Sequence, residues 1–233
     1  MPEPAAGSIG YFTLLYTPRE RRAAVRTLLA LADEIGAGVI RQLDHGLAHA
    51  RLTWWRQEAQ RLAAGSPAHP WLIAWRREGA APLDVAALID AAAIDLASEH
   101  LAASRARQLP QSRFVLTAAL LSAGTPTAVL IAQRHDLLAA LGLRVDALEH
   151  PAAVDPQPIE RLRVDPILQP VLAPLLVWAA LAARQARRRE RRAAAQSSTI
   201  AAPAVDALAD NLIAWHAARA ARRGHFRLED LHT

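Results

Sequence analysis

Apolar residues that recur at spacings of three and four constrain this chain most strongly. From Tyr11 to Leu62 the sequence YFTLLYTPRERRAAVRTLLALADEIGAGVIRQLDHGLAHARLTWWRQEAQRL reads as two helices and a short connection. Leu28, Leu29, Leu31, Ala32, Ile35 and Val39 fall at helical spacing in the first, and Leu52, Trp55, Ala59 and Leu62 mark the buried stripe of the second. The pattern predicts a helix from Pro18 to about Val39, entered through Thr17 as N-cap. It predicts another from Asp44 to Ala64, closed by Gly65-Ser66-Pro67. Trp54 and Trp55 are adjacent and therefore point to different sides of that helix, one into the core and the other toward a cavity or partner surface.

The same reading continues along the chain. Pro70 opens a short helix to about Glu78. Leu83 to about Arg107 is strongly periodic, with Val85, Leu88, Ile89, Ala92 and Leu96 on one face, and Pro110 stops it. Phe114 to Gln133 carries no charge and is long enough for a membrane span. Gly124-Thr125-Pro126 divides it, so two buried helices are predicted, Ser112–Ala123 and Pro126–Leu141, with Gly142 as C-cap. Arg144 to Pro170 is punctuated by five prolines and reads as loop and short turns. A helix from Val171 to about Ala195 begins apolar and ends in RQARRRERR, and the last runs from Pro203 to Arg223 with Val205, Leu208, Leu212 and Trp215 on one side. Residues 1–10 and 224–233 read as ends free to fray.

Composition agrees. Hydrophobic residues are 52 % of the 233, enough for a sizeable core, and the scarcity of β-branched and aromatic side chains favours helices throughout. No segment looks like a flexible linker, so one domain over residues 1–233 is expected. The absence of cysteine excludes disulfides and thiolate chemistry. A net charge of +5, carried by arginine alone, admits anionic partners but is modest for this length. The N-terminal MPEPAAGSIGY lacks a basic start followed by an apolar core, so no signal peptide is expected.

The first third of the chain resembles the squalene/phytoene synthase family of head-to-head prenyltransferases. Ser8, Tyr11 and Phe12 look like its opening, and Pro18 with Arg22 like its Pro-x-x-x-Arg step. Ala24, Val25 and Leu28 keep its first helix without a gap. AHARLTWWRQEAQRL at Ala48–Leu62 resembles its Trp-Trp-Arg-x-Glu helix, and His69-Pro70 its His-Pro. The resemblance implies an all-α, single-domain helical bundle of the isoprenoid synthase type, truncated or divergent. It implies Ser8, Tyr11 and Arg22 as substrate-binding residues.

The family's metal motif is missing. Gly36 and Ala37 stand in the slots of its paired aspartates and Ile40 in that of the third, while Asp33 replaces an arginine and Leu29 a tyrosine. Ionising a prenyl diphosphate needs Mg²⁺ between carboxylates and phosphate oxygens, and glycine, alanine and isoleucine supply no ligand. Downstream, Asp95 and Glu99 share a helix face, as do His45 and His49. Neither pair has the further ligands a metal site needs, and Arg134-His135-Asp136 has a single carboxylate. Solvated faces and caps account for these groups.

The resemblance therefore implies a non-catalytic relative with no cofactor and no metal, cytoplasmic or peripheral to the inner face of a membrane. It would bind an isoprenoid or lipid such as a prenyl diphosphate, or a protein partner of the kind served by family members in respiratory complex I assembly. Arg187, Arg188, Arg189, Arg191 and Arg192 are the candidate contact with anionic lipid. No base-stacking aromatics accompany them, so nucleic acid is not expected. The alternative is an active prenyl-diphosphate transferase whose Mg²⁺ ligands have moved to Asp33, Glu34 and Asp44.

Overall fold

The computed structural model describes residues 4–40, 44–77, 84–98, 107–150, 163–194 and 203–227, and every regular element among them is an α-helix. In chain order these are α1 (Ile9–Tyr16), α2 (Arg19–Ile40), α3 (His45–Ala63), α4 (Pro70–Arg77) and α5 (Val85–Ser98). Then come α6 (Gln108–Ser122), α7 (Ala128–Ala132), α8 (His135–Glu149), α9 (Gln169–Ala194) and α10 (Pro203–Arg222). The all-α class is as the sequence implies.

Helix α6 is the hub, packing against α2, α5, α8 and α9. From Phe114 onward it is drawn from the uncharged stretch of the sequence, and Leu109, Pro110, Phe114, Thr117, Ala118, Leu120, Leu121 and Ser122 are all buried. Helix α9 is the second hub, in contact with α1, α6, α8 and α10. From Leu172 to Ala183 every residue of α9 is buried, because a helix apolar on all sides must be enclosed on all sides. The stripes read from the sequence on α2, α3 and α5 do face this core: Leu28, Leu31, Ile35, Leu52, Trp55, Leu88 and Ile89 are buried. Trp54 is 41 % exposed, so the two tryptophans divide as their adjacency requires.

The start of α6 is held by an acid from a neighbour. The Asp95 carboxylate on α5 accepts the Gln108 N–H at 2.5 Å and the Leu109 N–H at 2.9 Å. These are amides that a first helical turn leaves without partners. Pro110 does not end a helix here. It lies in the first turn of α6, where its missing N–H costs nothing. Two glycines then let neighbouring helices close on this turn. A Cβ on Gly36 of α2 would stand 2.9 Å from Leu109 Cδ2, and one on Gly142 of α8 would stand 2.7 Å from the Pro110 carbonyl oxygen and 2.9 Å from Phe114 Cβ. Gly142 is thus an interior residue of α8, not the cap that its position after an apolar run predicts.

Other boundaries differ for local reasons. Helix α1 was not legible as a separate element. Ser8 Oγ accepts the Tyr11 N–H at 3.1 Å to start it, and Thr17 closes it, its hydroxyl donating to the Thr13 carbonyl at 2.8 Å. Thr125, predicted as an N-cap, donates its hydroxyl to the Ser122 carbonyl at 2.7 Å in a turn, and the predicted single helix after Pro126 is divided into α7 and α8. Arg144 to Glu149 belong to α8, and α9 begins before Pro170. Residues 99–106 and the middle of the proline-punctuated stretch, 151–162, lie outside the described residues.

Helix α10 shows its predicted stripe to solvent. Leu208 is 72 % and Leu212 56 % exposed, while Asp210, Ala214, Ala217, Ala218 and Ala221 are buried. Small side chains let α10 lie close to α9, and the acids answer its arginines: Arg184 Nε meets Asp210 Oδ1 at 2.6 Å, and Arg188 pairs with Asp206. The end of the described chain is tied back as well. Buried Gln169 donates from Nε2 to the carbonyls of Val164 (3.0 Å) and Phe226 (2.9 Å), and its Oε1 accepts the Phe226 N–H at 2.8 Å.

Gly142→Ala should destabilise the protein by about 1–3 kcal/mol through overpacking against the α6 backbone, despite alanine's better helix propensity. Urea melts of the two proteins would measure it. An unchanged midpoint would contradict the close approach of α6 and α8.

Candidate functional site

The residues that the sequence singles out lie toward the C-terminal end of α2. Gly36 is buried against Leu109, and Ala37 is half-buried. Ile40 ends the helix, and its side chain lies outside the described residues. Position 36 is therefore a packing contact between α2 and α6.

The acids nearby have separate engagements. Asp33 Oδ1 lies 3.2 Å from Nη1 of Arg113 on α6. The other end of that guanidinium, Nη2, is 3.7 Å from Glu149 Oε2 on α8, and its carbon sits 4.4 Å above the Trp178 ring of α9. Trp178 Nε1 in turn donates to Glu149 Oε1 at 2.7 Å, and its ring packs 5.1 Å from that of Phe114. Four helices meet in this group, and Arg113 Nε is buried without a hydrogen-bond partner. The Asp33 side chain keeps 71 % of its surface open, yet protein mass around it raises its pKa, opposed by the Arg113 charge and hydrogen bond.

Glu34 turns elsewhere, with Oε1 3.5 Å from His69 Nε2. The His69 ring lies among tryptophans, 5.0 Å from Trp55, 5.8 Å from Trp71 and 6.0 Å from Trp54, and its Nδ1 is buried without a partner. Buried Glu58 supports this corner by accepting the Ala68 N–H at 2.6 Å and the His69 N–H at 3.3 Å. The Trp-Trp-Arg-x-Glu and His-Pro motifs thus interlock as one packed corner. Asp44 caps α3, accepting the Gly46 N–H at 2.7 Å. The three acids proposed as relocated ligands therefore serve three different partners.

The remaining sequence candidates are also placed. Ser8 is the cap of α1, Tyr11 is on its exposed face, and Arg22 Nη2 reaches the carbonyls of Leu15 and Thr17, each at 3.3 Å. Their observed bonds finish the α1–α2 corner. Asp95 is spent on the α6 N-terminus, and Glu99 lies outside the described residues. Asp136 stands in the first turn of α8. Among the described residues no three His, Cys, Asp or Glu side chains are placed to hold a metal ion. Of the basic run, Arg188 and Arg192 face Asp206, Arg189 donates to the Leu148 carbonyl, Arg187 has an interaction within the protein, and Arg191 is exposed. Among the described residues no helix is long and apolar enough to cross a membrane.

Sequence reasoning missed Arg113, Glu149 and Trp178 because their meeting depends on three helices far apart in the chain. It also missed Arg107, which pairs with buried Asp146 beside Asp95. Burial is the largest influence on Asp95 and raises its pKa; the Gln108 and Leu109 amides and Arg107 oppose that, and Asp146 adds to it. A carboxyl whose folded pKa exceeds its unfolded value of 3.8 weakens the fold where both states are ionised. That penalty fades as pH falls through the folded pKa. Stability measured against Asp95→Asn should therefore shift in favour of the wild type on acidification from pH 7, in paired urea melts. A shift in the opposite direction would show that the α6 amides outweigh burial.

Comparison with protein-family models, with curated proteins and with solved structures finds no match for this chain.

Proposed function

We propose that this protein is a non-catalytic relative of the squalene/phytoene synthases that binds an isoprenoid or other lipid, or a protein partner, on a retained helical frame. The observation that carries this reading is the contact between Gly36 and Leu109. Position 36 is filled by packing: it offers no oxygen to a metal, and a side chain there would have to displace the end of Leu109. The acids around it do not fit a Mg²⁺ cluster either. Asp33 pairs with Arg113, Glu34 with His69, and Asp44 with the start of α3. Divalent magnesium needs several oxygens converging on one point. The residue resemblance supplies the family half of the proposal, and the all-α architecture is compatible with it.

Purified protein incubated with farnesyl or geranylgeranyl diphosphate and Mg²⁺ should form no squalene or phytoene above a protein-free control. Turnover abolished by Asp33→Asn or Glu34→Gln would overturn the proposal and restore the transferase reading. Native mass spectrometry of the same preparation tests the binding half: a retained lipid or co-purifying protein is expected, and a bare chain that also fails to take up prenyl diphosphate would count against the lipid.

A further inference from the structure

Away from the end of α2, a second region gathers positive charge without serving the core. The first residues of α8, the segment that enters α9 and the last described residues of the chain together line a groove of about 1150 Å³. Arg134, Arg163, Arg227 and His225 stand on its walls. Among the described residues Asp165 is its one acid, and Oδ1 of that carboxylate already accepts the Ile167 N–H at 3.0 Å. Leu137, Val164, Pro166 and Phe226 supply apolar wall between the charges.

The walls are held in place. Gln169, itself buried, binds the backbone of Val164 and of Phe226 with the same amide group. Arg163 precedes the first of these residues and Arg227 follows the second, so one side chain fixes the spacing of two cation-bearing segments. Gly224 tightens the junction. Its φ is +69°, and a Cβ there would stand 3.1 Å from Pro166 Cβ. Three arginines on the walls of one concavity raise the local positive potential, and exposed Arg134 and Arg227 each carry a planar fork of donors that matches phosphate oxygens.

We propose that this groove binds a phosphate-bearing ligand, a phosphomonoester or diphosphate, with its organic part along Leu137, Val164 and Phe226. The charge excess selects the anion, and the apolar wall favours an ester over the bare ion. The ligand is either a free phosphate compound or the headgroup of a lipid. Nothing in this inference depends on how the end of α2 is read.

Calorimetric titration of the full chain with sodium pyrophosphate, against sodium sulfate at matched ionic strength, probes the free source. Co-sedimentation with phosphatidylcholine vesicles, with and without phosphatidic acid, probes the headgroup. Arg134 and Arg227 are both exposed, so Arg134→Gln and Arg227→Gln should leave the helical signal and melting temperature unchanged. Arg163 has a further interaction within the protein and is left intact. Together the two substitutions should weaken binding at least about tenfold, and each alone should weaken it measurably. Arg56→Gln, on α3 outside the groove, should weaken neither probe. Binding of pyrophosphate assigns the free source, and binding of phosphatidic acid vesicles alone assigns the headgroup. Failure to bind either probe, or equal weakening by Arg56→Gln, would overturn the proposal.

Discussion

The first turn of α6 is the constraint on which the rest of this structure depends. Its amides are taken by Asp95 of α5, and its outer surface is met at van der Waals limits by Gly36 of α2 and Gly142 of α8. Helix axes can approach this closely only where one partner lacks a Cβ. The two glycines do not carry equal weight. Opposite Gly36 stands the far end of a leucine, which can shift. Opposite Gly142 stands a backbone carbonyl, which cannot shift without moving α6 itself.

That constraint bears directly on function. At position 36 the resemblance to prenyltransferases leads one to look for an acid, and the glycine found there is part of the packing. Charge in this region braces neighbouring helices. Arg113 joins Asp33 and Glu149 across Trp178, bringing α2, α6, α8 and α9 to one point. The same use of arginine recurs between α9 and α10, where Arg184, Arg188 and Arg192 meet Asp206 and Asp210. Part of a basic run that looks like a surface for anionic partners is thereby committed to holding two helices together. In the groove near Arg134, Arg163 and Arg227, by contrast, Arg134 and Arg227 are exposed on the walls of a concavity.

Much of the local structure was legible beforehand. Helical spacing identified α2, α3 and α5 with their buried faces, because a face repeating every 3.6 residues needs only a few turns of chain to declare itself. The division of Trp54 from Trp55 followed from adjacency alone. That positions 36, 37 and 40 offer no metal-binding side chain was plain from residue identity. Caps and stops were less legible. Pro110 and Gly142 carry breaker signals, and both lie inside helices, Pro110 because it falls in a first turn and Gly142 because a neighbouring backbone needs the space. The stripe on α10 has helical periodicity, yet periodicity does not say which face is covered. Ion pairs and alanine packing with α9 turned that stripe outward.

By itself the sequence determined that this chain is helical, where most of its helices run and that the familiar acids of a metal motif are absent. These are properties of residue type and of contacts within a few turns. Only the tertiary structure decided that Gly36 is a seat for Leu109, that Arg113 is shared between two acids, and that Gln169 draws two arginine-bearing segments to one groove. Those outcomes join residues separated by tens of positions, and the distance between two helices is set by the side chains of both.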